Sequence, residues 1–349
     1  MPDFVEEALV KAVRDDSSPH YTAPIGNEKL KELIAEKLER QNNLHVDPSR
    51  NILITPGSDS GLYFAILPFI NDGDEVMIPS PSYPNNYLDV ETMGGKVVPI
   101  VLSDKDGYQL DVDQMREKLN SKTKMVLLTH PNNPTTTVYN RESLEKLRDF
   151  VVDNDLILVV DQAFEDFTYD NEMITPASMD GMFERTVTVF SFSKGMGLSG
   201  LRVGYIVTDD HIMDTMFANA VGVIGATSTS SQKAIIEAMK HPEFMKIFED
   251  AYEYRRHKAF EILNSIPNVS CELPQSGFLC WVDVSKLGKS SDIVSYLVKE
   301  AKVSVNDGIN YGEGGKGHLR IVLGVYKDNS RVVDALVRIK EALTKYQGL

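Results

Sequence analysis

Several residues able to do chemistry stand at the ends of apolar runs along this 349-residue sequence, which is where open α/β sheets place their ligands. Lys194 follows the run Val187 to Phe190 by way of Ser191, Phe192 and Ser193, and three glycines come within the next six residues. Its amine is therefore presented by a tight loop at a strand end, where a reactive nitrogen can meet an electrophile. Arg202 lies eight residues on, between Gly200 and Gly204, a cation among residues that let backbone approach something bulky or anionic. Asp161 ends the apolar run Leu156 to Val160, so its carboxylate lies against an apolar layer and needs a partner there. Asn132 and Asn133 sit between Pro131 and Pro134 after the run Met125 to Thr129, offering amide donors in a loop stiffened by proline.

Weaker candidates accompany these. Gly57, Ser58 and Asp59 open a helix after the short strand Asn51 to Thr55, and the free N–H groups of a first helical turn hold anions such as phosphate. Asp59 would serve such an anion through its N–H, or act as a cap. Tyr83 stands between Pro81 and Pro84, a stiffly held ring that either stacks on a flat ligand or belongs to the core. Arg320 lies within an apolar strand beside His318 and Leu319; facing a cleft it would clamp a carboxylate, facing solvent it would do nothing. Tyr21 sits in the bare loop His20 to Gly26 and also reads as an aromatic packed at a helix start. Taken singly, each has an ordinary structural reading as a surface charge, a turn residue or core.

The elements that must position them alternate along the chain. From Asn51 to Tyr205 strand, loop and helix repeat, with polar residues at the C-terminal ends of the strands. This predicts a mostly parallel sheet with helices on both faces, an α/β domain with one crevice. Upstream, Val5 to Val13 and the segment EKLKELIAEKLERQNNL have helical spacing, the latter with mixed charges assigned to its outer face. Downstream, His241 to Ile266 reads as one long charged helix leading to a smaller α+β domain, whose antiparallel strands lie in CELPQSGFLCWVDV and GHLRIVLGV. A last helix, Ser330 to Tyr346, covers them. The expected division is 1–20 packing with the small domain, 21–240 the large domain and 241–349 the small one. No internal repeat or low-complexity tract interrupts it.

Composition narrows the classes. A formal net charge of −15 argues against nucleic-acid binding, which rests on clustered Lys and Arg. Two cysteines, Cys271 and Cys280, exclude a disulfide framework and read as buried apolar filler in a reducing compartment. None of the seven histidines pairs at metal-site spacing, so no protein-bound metal is expected. The N-terminus is acidic and amphipathic without a signal-peptide core, and no apolar run is long enough for a bilayer. A cytoplasmic protein with no membrane partner is the expectation.

The motifs Y-T-A-P-I-G, P-G-S-D-S, P-S-Y, N-N-P-T, D-Q-A-F, S-F-S-K-G-M-G-L-S-G-L-R-V-G-Y and L-R-I, in this order, resemble fold-type I pyridoxal 5'-phosphate (PLP) enzymes of the class I/II aminotransferase family, closest in wording to the histidinol-phosphate and aspartate branches. The resemblance spans nearly the whole chain. It implies a PLP-dependent aminotransferase acting on an L-amino acid and a 2-oxo acid through a Schiff base on Lys194. Asp161 would pair with the ring nitrogen, Asn133 would hold the phenolic oxygen and share in the substrate site, and Tyr83 would stack on the ring. Gly57, Ser58, Asp59, Ser191, Ser193 and Arg202 would hold the phosphate, and Arg320 the substrate α-carboxylate. The family also implies a homodimer in which Tyr21 reaches the neighbouring subunit's cofactor.

Three departures stand out: Phe164 where relatives carry tyrosine beside the phenolic oxygen, Thr136 where glycine usually follows N-P-T, and Ser60 where glutamate is common. Asn306 occupies the region where the histidinol-phosphate branch puts an arginine. The same fold also carries PLP-dependent lyases and decarboxylases, the alternative reading. A non-catalytic cofactor sensor is a third, disfavoured by the charge and by the lack of a nucleic-acid-binding module.

Overall fold

The computed structural model describes residues 1–16 and 18–346. Seven short apolar runs form the strands of one sheet: β1 (Ile52–Thr55), β2 (Glu75–Ser80), β3 (Lys96–Val101), β4 (Thr123–Thr129), β5 (Ile157–Asp161), β6 (Thr186–Ser191) and β7 (Gly204–Val207). Their spatial order is β1-β7-β6-β5-β4-β2-β3, and each neighbouring pair is parallel except the two that β7 makes. Strand β7 is the strand of this sheet that the sequence reading missed, because Gly204 to Val207 follows the glycine-rich loop without a turn signal of its own.

Both faces of the sheet are covered, which is why its central strands are apolar throughout rather than alternating. Successive residues of β4 go to opposite sides. Val126 and Leu128 meet Leu144, Leu147 and Phe150 of the helix Arg141–Asp153, while Met125 and Leu127 meet Leu62, Phe64 and Ile66 of the helix Ser58–Ile66. Each such side chain, fully buried, contributes roughly 1.5–3 kcal/mol of transfer free energy. The α/β class expected from the sequence is the one found.

A second, antiparallel sheet follows, made of β8 (Ser270–Cys271), β9 (Leu279–Asp283), β10 (Asn306–Asp307) and β11 (His318–Val322) in the order β10-β11-β9-β8. Helices Lys246–Leu263, Ser290–Tyr296 and Asn329–Lys345 pack with it around Val282, Leu319, Ile321 and Leu336. Cys271 and Cys280 are buried free thiols there.

Three expectations are corrected. The helix Asp3–Arg14 does not lie on the four-stranded unit. Its Val5 packs with Leu30, Ile34, Ala234 and Ile235 beside the large sheet, because its apolar stripe meets the small side chains of the helix Thr229–Lys240. The long helix from His241 is broken at its start into a short turn, Pro242–Met245, before Lys246–Leu263; proline fixes its own φ and lacks an N–H donor. Lys37 is not on an outer face. It pairs with Glu165 and lies 3.3 Å from the Tyr205 hydroxyl, while Asn42 and Gln162 each donate to the same Glu165 carboxylate at 2.6 Å. Burial alone would lower the Lys37 ammonium, but Glu165, Tyr205 and Asp166 together outweigh that cost and hold it above its ordinary value.

Candidate active site

Strand ends converge on one cleft of about 290 Å³ between the two sheets. The C-terminal end of β5 delivers Asp161, the loop after β4 delivers Asn133, the loop after β6 delivers Ser193 and Lys194, and the turn after β1 delivers Ser58 and Asp59. Tyr83 arrives from the loop after β2, and Arg320 comes from β11 of the other sheet. The parallel register sets Thr129 opposite Asp161 and Asp161 opposite Val189, so β4 and β5 stop at the same level and β6 runs two residues further, to Ser191.

Asp161 is 5% exposed, and its carboxylate accepts one hydrogen bond, from Ala163 N at 3.1 Å. Burial pushes its pKa from 3.8 up to about 7, with the Ala163 bond and the Lys194 charge opposing and the Asp59 charge adding. Such a group calls for a cationic partner delivered into the cleft. Lys194 is held below the ordinary lysine value by burial first, then by Arg320 and Arg202, against the pull of Asp161 and Asp59. Its Nζ stands 5.6 Å over the ring of Phe164, a neighbour that neither neutralises nor hydrogen-bonds the amine. A lysine poised toward its neutral form is a nucleophile and a proton carrier.

At the other end of the cleft Arg202 lies 3.4 Å from the Asp59 carboxylate, which also accepts from the Tyr83 hydroxyl at 3.0 Å. Gly57 has φ +86°, and a Cβ there would fall against the Arg202 guanidinium. Gly204 is required by close approach: a Cβ on it would meet Ser58 N and the Phe190 carbonyl at 2.8 Å. The helix turn at Ser58 and the arginine are therefore pressed together by two residues without side chains. Arg320 donates to Asn133 Oδ1 at 3.0 Å and to Asn306 Oδ1 at 3.0 Å, and rests 4.8 Å over the Tyr311 ring. Among the described residues no carboxylate pairs with it, so its charge is available to an incoming anion.

The cleft thus brings together Ser58, Asp59, Tyr83, Asn133, Asp161, Phe164, Ser193, Lys194, Arg202 and Arg320, with Gly57 behind Arg202. Two expected residues stand elsewhere. Ser191 is 8% exposed and turns to the far side of the lysine loop, where its hydroxyl accepts from Ser193 N at 3.1 Å and it lines a separate small cavity with Lys37 and Asp166. The last residue of a buried strand alternates with its neighbours, and Ser191 falls on the wrong face. Tyr21 is 94% exposed and contributes nothing to the cleft of its own chain. Missed from sequence were Ala163, Ser199, Phe278, Leu279 and Val322, which also line it. Ser199 carried a signal, three residues before Arg202; the apolar ones read as ordinary strand interior.

An open α/β sheet with a lysine, an aspartate and an anion cradle at its strand ends, backed by a small antiparallel unit, defines the fold-type I architecture. The family described as Aminotransferase class I and II matches residues 1–336, and the chain belongs to it. The protein is 32% identical over 351 residues to a probable aspartate/prephenate aminotransferase of Aquifex aeolicus, covering 98% of this chain and 88% of that protein. It is 33% identical over 327 residues to an aspartate aminotransferase of Pyrococcus abyssi, covering 92% and 83%. The crystal structure of an aromatic aminotransferase from Pyrococcus horikoshii superposes with a TM-score of 0.94 at 30% identity, covering 99% of this chain and 92% of that one. This protein is an aminotransferase.

Enzymes of this family use PLP, and the residues present fit that group. Among the described residues, a buried carboxylate and a buried amine that form no ion pair, an arginine pressed to a helix start by two glycines, and a second arginine without a carboxylate partner match its ring nitrogen, aldehyde, phosphate and amino-acid partner.

Proposed function

We propose that this chain binds PLP on Lys194 and moves the amino group of an L-amino acid to a 2-oxo acid in the cleft between its two sheets. The observation that carries the reading is the opposed pair at the strand ends: Asp161 raised to about 7 by burial and Lys194 lowered by burial. Bound there, the cofactor supplies an aldehyde for amines and an electron-withdrawing ring.

The chain's own residues do the rest. Asp161 holds a proton on the ring nitrogen, since a carboxylate that resists standing alone in an apolar wall is stabilised by a cation. Lys194 Nζ, shifted by burial toward its neutral form, would carry the proton between the substrate α-carbon and the cofactor's aldehyde carbon. Asn133 uses its Oδ1 on Arg320, which leaves its Nδ2 to donate to the phenolic oxygen. Arg202, the N–H groups at Ser58 and Asp59, and the hydroxyls of Ser193 and Ser199 are set to hold the phosphate. Tyr83, its hydroxyl tied to Asp59, would stack on the ring. Arg320 takes the α-carboxylate by its fork.

Tyr21, exposed in a loop and remote from the cleft of its own chain, supports a homodimer in which it reaches the partner's phosphate. The relatives named for aspartate and for aromatic amino acids indicate the donors to test first. Adding such a donor without an oxo-acid acceptor should convert the cofactor to its amine form in one turnover. Release of ammonia and a new oxo acid instead would favour a lyase. Borohydride reduction followed by peptide mapping should mark Lys194, and a mark on another lysine would refute the assignment. The variant Lys194→Ala should lose at least about a hundredfold in turnover, because a positioned acid–base group alone contributes roughly 10²–10⁴-fold.

A further inference from the structure

Thr136 follows the N-N-P-T motif yet adopts φ +65°, in the left-handed region, and is 3% exposed. A β-branched residue is a genuine outlier there, where glycine would sit without cost. Such an outlier persists only where its surroundings hold it, and it points to a use for the side chain that glycine lacks. Thr136 Oγ1 accepts from Gln275 N at 3.3 Å, and its carbonyl accepts from Ser276 Oγ at 2.8 Å. Gln275 Oε1 in turn accepts from Val138 N at 2.8 Å. The loop after β4 therefore grips the segment Gln275–Ser276 across the junction between the two sheets.

That segment leads through Gly277 and Phe278 directly into β9, and β9 pairs with β11, where Leu279 lies opposite Val322 and Trp281 opposite Arg320. Leu323 N donates to the Phe278 carbonyl at 2.7 Å, tightening the same corner. At the loop's other end, three residues before Thr136, Asn133 Oδ1 accepts from Arg320 Nη1 at 3.0 Å. Thr136 thus closes a ring of contacts: Asn133, Arg320, β11, β9, Gln275, Thr136. We propose that Thr136 is a positioning residue, whose hydroxyl fixes the Gln275–Ser276 segment and so sets the spacing between Asn133 and Arg320 that receives the substrate carboxylate. This rests on the reading of Arg320 as the carboxylate site.

The test compares Thr136→Gly, which relieves the backbone and removes the hydroxyl, with Thr136→Ser, which keeps it, each as the PLP-loaded protein. In Thr136→Gly, amide exchange at residues 275–278 should quicken, and KM for the amino donor and the inhibition constant of a non-reacting carboxylate analogue should both rise roughly two- to tenfold, the range for one lost hydrogen bond. The turnover number should hold within about twofold and Tm should not fall, since the glycine removes strain. Thr136→Ser should stay near wild type on all counts. Unchanged exchange at 275–278 in Thr136→Gly overturns the clamp; quickened exchange with unchanged KM and inhibition constant overturns the positioning role and leaves a structural one. If the wild type binds the carboxylate analogue yet transfers no amino group, the functional reading fails and the Thr136 comparison is decided on analogue affinity and exchange alone.

Discussion

Replacing Asp161 with asparagine removes a charge that the cofactor-free fold carries at a cost. Burial raises this carboxyl from 3.8 to about 7, so between those values the folded chain holds a proton that the unfolded chain has released. Stability therefore falls as pH rises through this window and is level on either side of it. At 1.36 kcal/mol for each pH unit the full change is on the order of 4 kcal/mol, an upper figure because water relaxes around a buried carboxylate. Asparagine cannot titrate. The stability of wild type minus that of Asp161→Asn, from urea unfolding of both cofactor-free proteins, should accordingly drop by about 2–4 kcal/mol across the window. Taking the difference cancels other groups that titrate nearby, such as Asp89 and Asp166, each raised to about 6 by burial. Saturating PLP should flatten the wild-type slope, because a protonated ring nitrogen then faces the carboxylate. A difference that stays constant with pH would refute the account of Asp161 as a strained, unpartnered acid, and with it the reason given for the cofactor's ring to bind there.

Two further substitutions probe the cradle and the small sheet's support. Gly57→Ala puts a methyl against the Arg202 guanidinium at φ +86°, so PLP affinity, read by absorbance titration, should weaken roughly five- to thirtyfold; an unchanged affinity would mean the Ser58 turn does not hold the phosphate. Arg255, 2% exposed, donates to Asn329 Oδ1 at 2.7 Å and to the carbonyls of Leu323 and Lys327 at 2.8 and 2.9 Å. Arg255→Lys cannot reproduce that planar fork and should cost about 2–4 kcal/mol in urea unfolding, whereas a loss below about 1 kcal/mol would show that solvent replaces the fork.

The sequence by itself determined six of the seven strands of the large sheet, their order of appearance and the residues at their ends. Buried parallel strands must be apolar along their whole length, so the first polar residues after each run announce the ligand-facing edge. That is why Asp161, Asn133 and Lys194 were legible, and why the sheet class was too. What only the tertiary structure decided was direction and partnership. Ser191 and Ser193 lie two residues apart in one motif, yet only Ser193 reaches the cleft, since the strand end and the loop turn them to different sides. Lys37 has the spacing of a surface residue, and nothing local tells it from its neighbours. Its inward turn depends on Glu165, which is 128 residues away in sequence. Phe278 and Val322 read as strand interior and became walls because a second sheet closes over the first. The Asn133–Arg320 bond spans 187 residues. Local periodicity fixes which elements form, but contacts between side chains so far apart arise only when packing brings the two sheets together, and it is there that the carboxylate site is made.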